Sequence, residues 1–163
     1  MDLKRAVVFY SLSGNTKEAA KRIASELEAE IIEAELVKPM PEKFWQQILV
    51  GGMQSSCGMK PKVKNIPADI ADYDEIIIGG PIWAGKLASP LNTVIGKYNI
   101  ADKITAVFTL SGGGDNDKCI EALAKVLKNM KCNVALADKN NELASQNDEK
   151  IAKFVADLGT VLS

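Results

Sequence analysis

The hydrophobic positions of the chain alternate between two spacings. Short continuous apolar runs are typical of strands buried on both faces, and apolar residues recurring every three or four positions are typical of amphipathic helices. Alternation of the two predicts an α/β domain with a parallel sheet and helices on both faces. The predicted strands are residues 6–10, 30–37, 76–78, 104–110 and 133–137.

Four amphipathic stripes predict the main helices that connect and follow these strands. In the second of them, Ser89 and Pro90 predict the helix start, with the Ser89 hydroxyl as N-cap and proline at the first helical position. The stripes are Ala19, Ala20, Ile23, Ala24 and Leu27; Leu91, Val94, Ile95 and Tyr98; Ile120, Leu123, Ala124, Leu127 and Met130; and Ile151, Phe154, Val155, Leu158 and Leu162.

The segment at residues 38–73 is long for a single crossover. Residues 42–49 predict a short helix within it, and residues 51–67 predict a loop because glycines and prolines recur there. Long loops of this kind are often functional. The short helix is expected to bury Phe44, Trp45, Ile48 and Leu49.

Three alternating lysines in that loop, Lys60, Lys62 and Lys64, have two interpretations. They suit a solvated loop, or a docking patch for an acidic partner or a pyridine-nucleotide phosphate. Cys57 in the same loop is interpreted as a bystander thiol.

Composition narrows the class of protein. The chain has 163 residues, 47% hydrophobic and 25% charged, which predicts one globular domain. No apolar run approaches the length of a membrane span, and a net charge of −1 gives no electrostatic reason for nucleic-acid binding. No signal peptide is visible, and three widely spaced cysteines favour a cytoplasmic setting. The absence of histidine excludes histidine bases and histidine-ligated metals.

The sharpest chemical signal is the loop Ser-Leu-Ser-Gly-Asn-Thr at residues 11–16, between the first strand and the first helix. A helix N-terminus presents free backbone amides and the positive end of its dipole, which suit a phosphate. A simple helix cap would explain one hydroxyl but not four polar side chains in six residues. The loop therefore predicts phosphate binding.

Other phosphate-binding motifs are missing from the sequence. There is no G-x-x-x-x-G-K-[ST] loop for nucleoside triphosphates and no G-x-G-x-x-G dinucleotide fingerprint. The two arginines, Arg5 and Arg22, cannot complete a Cys-x5-Arg phosphatase loop. Gly79 and Gly80 stand where a phospho-acceptor receiver domain would need an aspartate.

Three segments in series resemble those of one known family. S-L-S-G-N-T at 11–16 resembles the phosphate loop of flavodoxins and short flavodoxin-like FMN proteins, [ST]-x-[ST]-G-N-T. Residues 72–90, D-Y-D-E-I-I-I-G-G-P-I-W-A-G-K-L-A-S-P, are similar to its third strand and first flavin-contacting loop. T-L-S-G-G-G at 109–114 resembles the second flavin loop. The matches follow the family's order and cover the whole chain.

The resemblance implies a single flavodoxin-like domain over residues 1–163: a three-layer, doubly wound fold with five parallel strands in the order 2-1-3-4-5. It also implies one non-covalent FMN, which supplies the redox chemistry itself. The implied cofactor-binding residues are Ser11, Leu12, Ser13, Gly14, Asn15 and Thr16 in the phosphate loop; Pro81, Ile82, Trp83, Ala84 and Gly85 on one side of the isoalloxazine; and Ser111, Gly112, Gly113 and Gly114 on the other.

The resemblance implies an electron carrier that works with redox partner proteins. The alternative is an FMN-dependent oxidoreductase that takes hydride from NAD(P)H and reduces a quinone or similar small acceptor. Two departures from the family favour direct reaction with small molecules: Gly113, Gly114 and Asp115 stand where many flavodoxins carry an aromatic residue, and the chain is not strongly acidic. A third interpretation is a binding module that has lost its flavin. The intact phosphate-loop motif argues against it.

Overall fold

A computed structural model describes residues 3–162 of the chain, with side chains described through residue 159. In chain order the elements are β1 (Arg5–Phe9), α1 (Asn15–Leu27), β2 (Glu30–Glu33), β3 (Glu35–Leu36), α2 (Phe44–Ser56), β4 (Val63–Lys64), β5 (Glu75–Trp83), β6 (Lys86–Leu87), α3 (Ser89–Lys97), β7 (Ile104–Ser111), α4 (Asp117–Ala124), β8 (Cys132–Ala137) and α5 (Asn147–Leu162). Short 3-10 turns cover Ile70–Asp72, Ala101–Lys103 and Glu142–Gln146.

Five parallel strands form the central sheet in the order β2-β1-β5-β7-β8. This order confirms the predicted order 2-1-3-4-5. Val7 of β1 pairs with Ile31 on one side and with Ile77 on the other, so β1 lies inside the sheet and β2 at its edge. The short β6 extends the sheet by pairing antiparallel with the end of β5.

Alternate residues of the strands point to two separate cores, one on each face of the sheet. The face covered by α1 and α5 buries Val7, Phe9 and Ile77, while the other face buries Val8 and Ile78. The continuous apolar runs of the central strands follow from burial on both faces. None of the described helices is long and apolar enough to span a membrane.

The predicted end of the third strand at Gly79 and Gly80 is wrong, because β5 continues through both glycines to Trp83. A Cβ on Gly79 would lie 2.1 Å from the ring of Phe108 in β7, and a Cβ on Gly80 would lie 2.6 Å from Cδ1 of Leu91 in α3. These glycines leave room for large neighbours and do not terminate the strand.

The second predicted strand, residues 30–37, is divided in the structure. β2 ends at Glu33, and β3 pairs antiparallel with β4 in a separate two-stranded sheet. Ala34 lies between them and donates its backbone N–H to the carbonyl of Phe9 at 2.8 Å.

The predicted short helix at 42–49 is longer than expected, and the side predicted to face the core faces solvent. It runs from Phe44 to Ser56, into the segment predicted as a loop. Its buried residues are Gly51 and Ser55. The predicted burial of Phe44, Trp45, Ile48 and Leu49 is wrong, since all four are exposed.

Two helix boundaries also differ from the prediction. Ala88, not Ser89, holds the N-cap position of α3, and the buried Ser89 hydroxyl instead donates to Oε1 of Gln54 in α2 at 2.8 Å. Helix α4 ends at Ala124, although Leu127 beyond it is still buried.

A buried carboxylate ties together the amino ends of three central strands. Glu75 of β5 accepts from Nε of Arg5 in β1 at 2.8 Å and from the hydroxyl of Thr105 in β7. Because a buried polar group is costly unless it is hydrogen-bonded, these two contacts are what make the burial of the Glu75 carboxyl tolerable.

We predict that Gly79→Ala lowers the free energy of unfolding by about 1–3 kcal/mol, because the new methyl group collides with the Phe108 ring. The control is Gly159→Ala in α5, where a Cβ meets nothing within 4 Å. It is expected to stabilise the protein by up to about 1 kcal/mol through helix propensity. Urea unfolding followed by circular dichroism measures both. Equal stability of the two variants would contradict the packing account.

Candidate functional site

The carboxyl ends of β1, β5 and β7 lie side by side at one edge of the sheet. Phe9 pairs with Gly79, and Pro81 pairs with Leu110. The loop at 11–14, the β5–β6 hairpin and the glycine loop at 112–116 therefore leave the same edge. In an open parallel sheet this edge, where the strand order reverses, is where ligands bind.

The loop at 11–14 is folded around the side chain of Ser11. Its Oγ accepts from the backbone N–H of Gly14 at 3.0 Å and of Lys17 at 3.3 Å. Gly14 is the N-cap of α1 and has φ +96°, a left-handed conformation that favours glycine. Ser11 therefore holds the loop in shape, and its own hydroxyl hydrogen is still available to a ligand.

Several hydrogen-bond donors of this loop are unused. Among the described residues, the hydroxyls of Ser13 and Thr16 have no hydrogen-bond partner, although Thr16 is buried. The backbone amides of Asn15 and Thr16 lie in the first turn of α1, where a helix has no internal acceptors. A Cβ on Gly14 would meet nothing within 4 Å, so there is open space beside the loop.

Asp138 is a site residue that sequence reasoning missed. It follows β8 directly, and its Oδ2 accepts from Nδ2 of Asn15 at 3.3 Å. Its backbone N–H donates to the carbonyl of Ser111 at 2.8 Å. Asp138 thus links the loop at 11–16 to the end of β7. Its place after a strand, at the carboxyl edge, is the signal that could have identified it.

Trp83 ends β5 and is half-buried rather than free in a loop. Its ring meets the Tyr10 ring edge-on, with centroids 5.5 Å apart and planes at 82°. On another side it lies against α2, where a Cβ on Gly51 would be 3.0 Å from the indole Cδ2. Burial raises the pKa of Tyr10 to about 12, so its hydroxyl stays protonated at neutral pH. Contact of Trp83 with a flavin stays a prediction.

The predicted first flavin loop is a tight β-hairpin. Ile82 pairs with Leu87 and Trp83 with Lys86 across the turn at Ala84 and Gly85. Both turn residues have positive φ, +50° and +76°, as in a two-residue type I′ turn. The turn therefore holds the backbone of the hairpin in one shape.

A lysine of α4 lies beside this turn. A Cβ on Gly85 would be 3.9 Å from Cδ of Lys118. The exposed Lys86 and Lys118 thus place two positive charges near the hairpin. Lys118 was not predicted to lie here, because only the tertiary fold brings α4 to this turn.

The glycine loop leaves its backbone open while its far end is fixed. A Cβ on Gly112 or Gly113 would meet nothing within 4 Å, and both residues are exposed. The Ser111 hydroxyl donates to the carbonyl of Asp115 at 3.2 Å, and Gly114 has φ +72° beside Ala137. Nothing covers the two exposed glycines within the part of the chain that the structure describes.

Two of the three thiols are poorly suited to covalent chemistry. Burial raises the pKa of Cys119 to about 11 and the pKa of Cys132 to about 11, so both are protonated at neutral pH. The carboxyl edge instead presents neutral donors, an indole and two lysines. This set can bind and orient an anionic, planar ligand.

A sequence profile of the flavodoxin family matches residues 4–157. The chain belongs to the flavodoxin family. No curated protein gives a significant match.

Solved structures agree with this fold. A flavoprotein from Lactobacillus acidophilus, crystallised in complex with FMN, is 23% identical, with a TM-score of 0.67 over 91% of this chain and 99% of its own. A WrbA-like flavodoxin from Agrobacterium tumefaciens is 17% identical, with a TM-score of 0.61 over 98% of this chain and 97% of its own. A short-chain flavodoxin associated with a bacterial microcompartment is 14% identical, with a TM-score of 0.58 over 99% of this chain and 100% of its own.

We predict that iodoacetamide at pH 7.5 labels the exposed Cys57 of this flavodoxin and leaves Cys119 and Cys132 unmodified. Labelling of the latter two should rise only as the pH approaches their raised pKa values, because the thiolate is the reactive form. Peptide mass spectrometry of native and urea-unfolded protein measures this. Rapid native labelling of Cys119 would contradict its burial.

Proposed function

We propose that this flavodoxin binds one FMN non-covalently at the carboxyl edge of its sheet and serves in electron transfer. The observation that carries the proposal is the set of unused donors in the loop at 11–16, at the start of α1. The related Lactobacillus flavoprotein, crystallised with FMN, supports the choice of ligand.

The donor set of the loop fits a phosphate monoester. The hydroxyls of Ser13 and Thr16 and the first-turn amides of α1 would donate to the phosphate oxygens. Ser11 and Gly14 keep the loop in shape, and Asn15 is oriented by Asp138. Hydrogen bonds to a charged oxygen are stronger than neutral ones, so a few such donors suffice for tight binding.

The two other loops suit the flavin ring. The hairpin offers Trp83 and the backbone of residues 81–85, and the glycine loop offers open backbone at Gly112 and Gly113. Indole gives a rigid aromatic surface for a planar ring. Leu12, within the loop at 11–16, is exposed at the same edge.

FMN, when bound, supplies the redox chemistry, and the protein's residues bind and orient it. The hairpin's turn geometry holds the backbone of Ala84 and Gly85 in place, ready to hydrogen-bond the ring. We propose redox partner proteins as the electron donors and acceptors, and a cytoplasmic setting, which suits three unpaired cysteines.

A second candidate function is direct reduction by NAD(P)H, followed by reduction of a quinone or similar small acceptor. The uncovered backbone at Gly112 and Gly113 favours it, because a nicotinamide needs an accessible flavin face. Lys86 and Lys118 supply positive charge near the hairpin for an anionic nucleotide.

We predict that Thr16→Val weakens FMN binding by about 10-fold or more, because it removes a hydroxyl donor at the start of α1 that could reach the phosphate. Its free energy of unfolding without FMN should change by less than about 0.5 kcal/mol, since the hydroxyl has no partner among the residues that the structure describes. Quenching of FMN fluorescence measures the affinity.

The matched control is Thr93→Val. Its hydroxyl donates to the carbonyl of Pro61 at 2.6 Å in another part of the fold. This change should cost about 1 kcal/mol of stability and leave FMN affinity unchanged. Equal FMN affinities for wild type and Thr16→Val would overturn the assignment of Thr16.

We predict that NADPH added anaerobically to the FMN-loaded protein leaves the flavin absorbance near 450 nm unchanged over minutes, as the carrier role requires. Dithionite serves as the control that the flavin can be reduced. Rapid bleaching by NADPH would establish the second candidate function in place of the first.

A further inference from the structure

Helix α2 turns a wholly apolar face to solvent. Phe44, Trp45, Ile48, Leu49 and Met53 are between 53% and 75% exposed. Their spacing places them on one side of the helix, since residues three or four positions apart are neighbours on a helical surface. We call these five side chains the α2 face.

The opposite side of α2 is built from small and polar residues. Gly51 lies against Trp83, and Gln54 accepts from Ser89. Ser55 is buried and has no hydrogen-bond partner within residues 3–159. The helix therefore packs on the protein with its less apolar side. Soluble monomers rarely expose an apolar patch of this kind, so a partner surface is indicated.

We propose that the α2 faces of two copies of this chain pack against each other about a twofold axis, with the two helices antiparallel. The five side chains expose on the order of 600 Å², given the surface of aromatic and aliphatic side chains of this size. One side of a stable interface buries about 800 Å², so the α2 face supplies most of it.

The shape of the α2 face is complementary to itself. Its amino-terminal half carries large side chains, whereas its carboxyl-terminal half includes Gly52 and Ser56. A Cβ on Gly52 would meet nothing within 4 Å, which leaves a shallow gap in the surface. Antiparallel pairing centred near Val50 sets Ile48 of each copy opposite Gly52 of the other. A twofold axis makes this contact twice, as an isologous interface requires.

The inferred interface is independent of FMN binding. Gly51 and Trp83 meet on the inner side of α2, and the α2 face points away from them. Dimerisation can therefore be measured with or without FMN. Failure of FMN to bind would leave the oligomeric result interpretable.

The experiment is sedimentation equilibrium of the full chain at several concentrations. We expect a dimer for the wild-type protein, and a dissociation constant raised by at least about 30-fold in Ile48→Glu, as for a central interface residue. Val126→Glu is the matched control, because Val126 is 55% exposed and lies outside α2. Its dissociation constant should equal that of the wild type.

Gly52→Leu is a second variant that tests the same dimer contact if Ile48→Glu misfolds. In one copy the new side chain enters open space, so circular dichroism should be unchanged, but it would collide with Ile48 of the second copy. We expect this variant to dissociate as well.

Three outcomes would overturn the proposal. The first is a wild-type monomer at roughly 100 μM, a concentration at which an interface of this size should form. The second is a dimer that neither variant weakens. The third is a monomer that sediments with vesicles of phosphatidylcholine and phosphatidylglycerol, which would make the α2 face a membrane-binding surface.

Discussion

The continuous hydrogen-bonded ladder through β1, β5 and β7 is the constraint on which the rest of the molecule depends. Parallel strands need crossover connections, so β1 and β7 lead into the helices α1 and α4, while β5 ends in the hairpin with β6. Gly79 allows β5 and β7 to keep their register beside Phe108, and Glu75 joins the opposite ends of the same strands. With this ladder in place, three loops distant in sequence meet at one edge.

The alternation of apolar patterns was enough to predict the sheet, because strands buried on both faces carry an unmistakable continuous apolar run. The resemblance then correctly supplied the strand order. What failed was the assumption that large apolar side chains face inward. The inner side of α2 is determined by its contacts with Trp83 and Ser89, which pack against Gly51 and Gln54. These contacts cannot be predicted from the apolar pattern of the helix itself.

The three loops of the candidate site were predicted from the sequence, whereas the tertiary contacts around them were not. The segment 11–16 could be recognised from the sequence because its hydroxyls, its glycine and the start of the helix lie within six consecutive residues. Asp138, Lys118 and Gly51 reach the site only through folding, from elements distant in sequence. The same holds for the packing of Trp83 on Tyr10. The loop at 11–16, the hairpin and the open glycine backbone lie at one edge, where they would hold the proposed ligand by shape and main-chain donors.

The central claim is that the start of α1 binds a phosphate group. Comparing the affinities for FMN and riboflavin tests this claim most directly, because riboflavin has the same ring and no phosphate. Equilibrium titration of the purified protein should give an FMN dissociation constant lower than that for riboflavin by about 100-fold or more, from several charge-assisted hydrogen bonds. Dissociation constants within about threefold of each other would contradict the account.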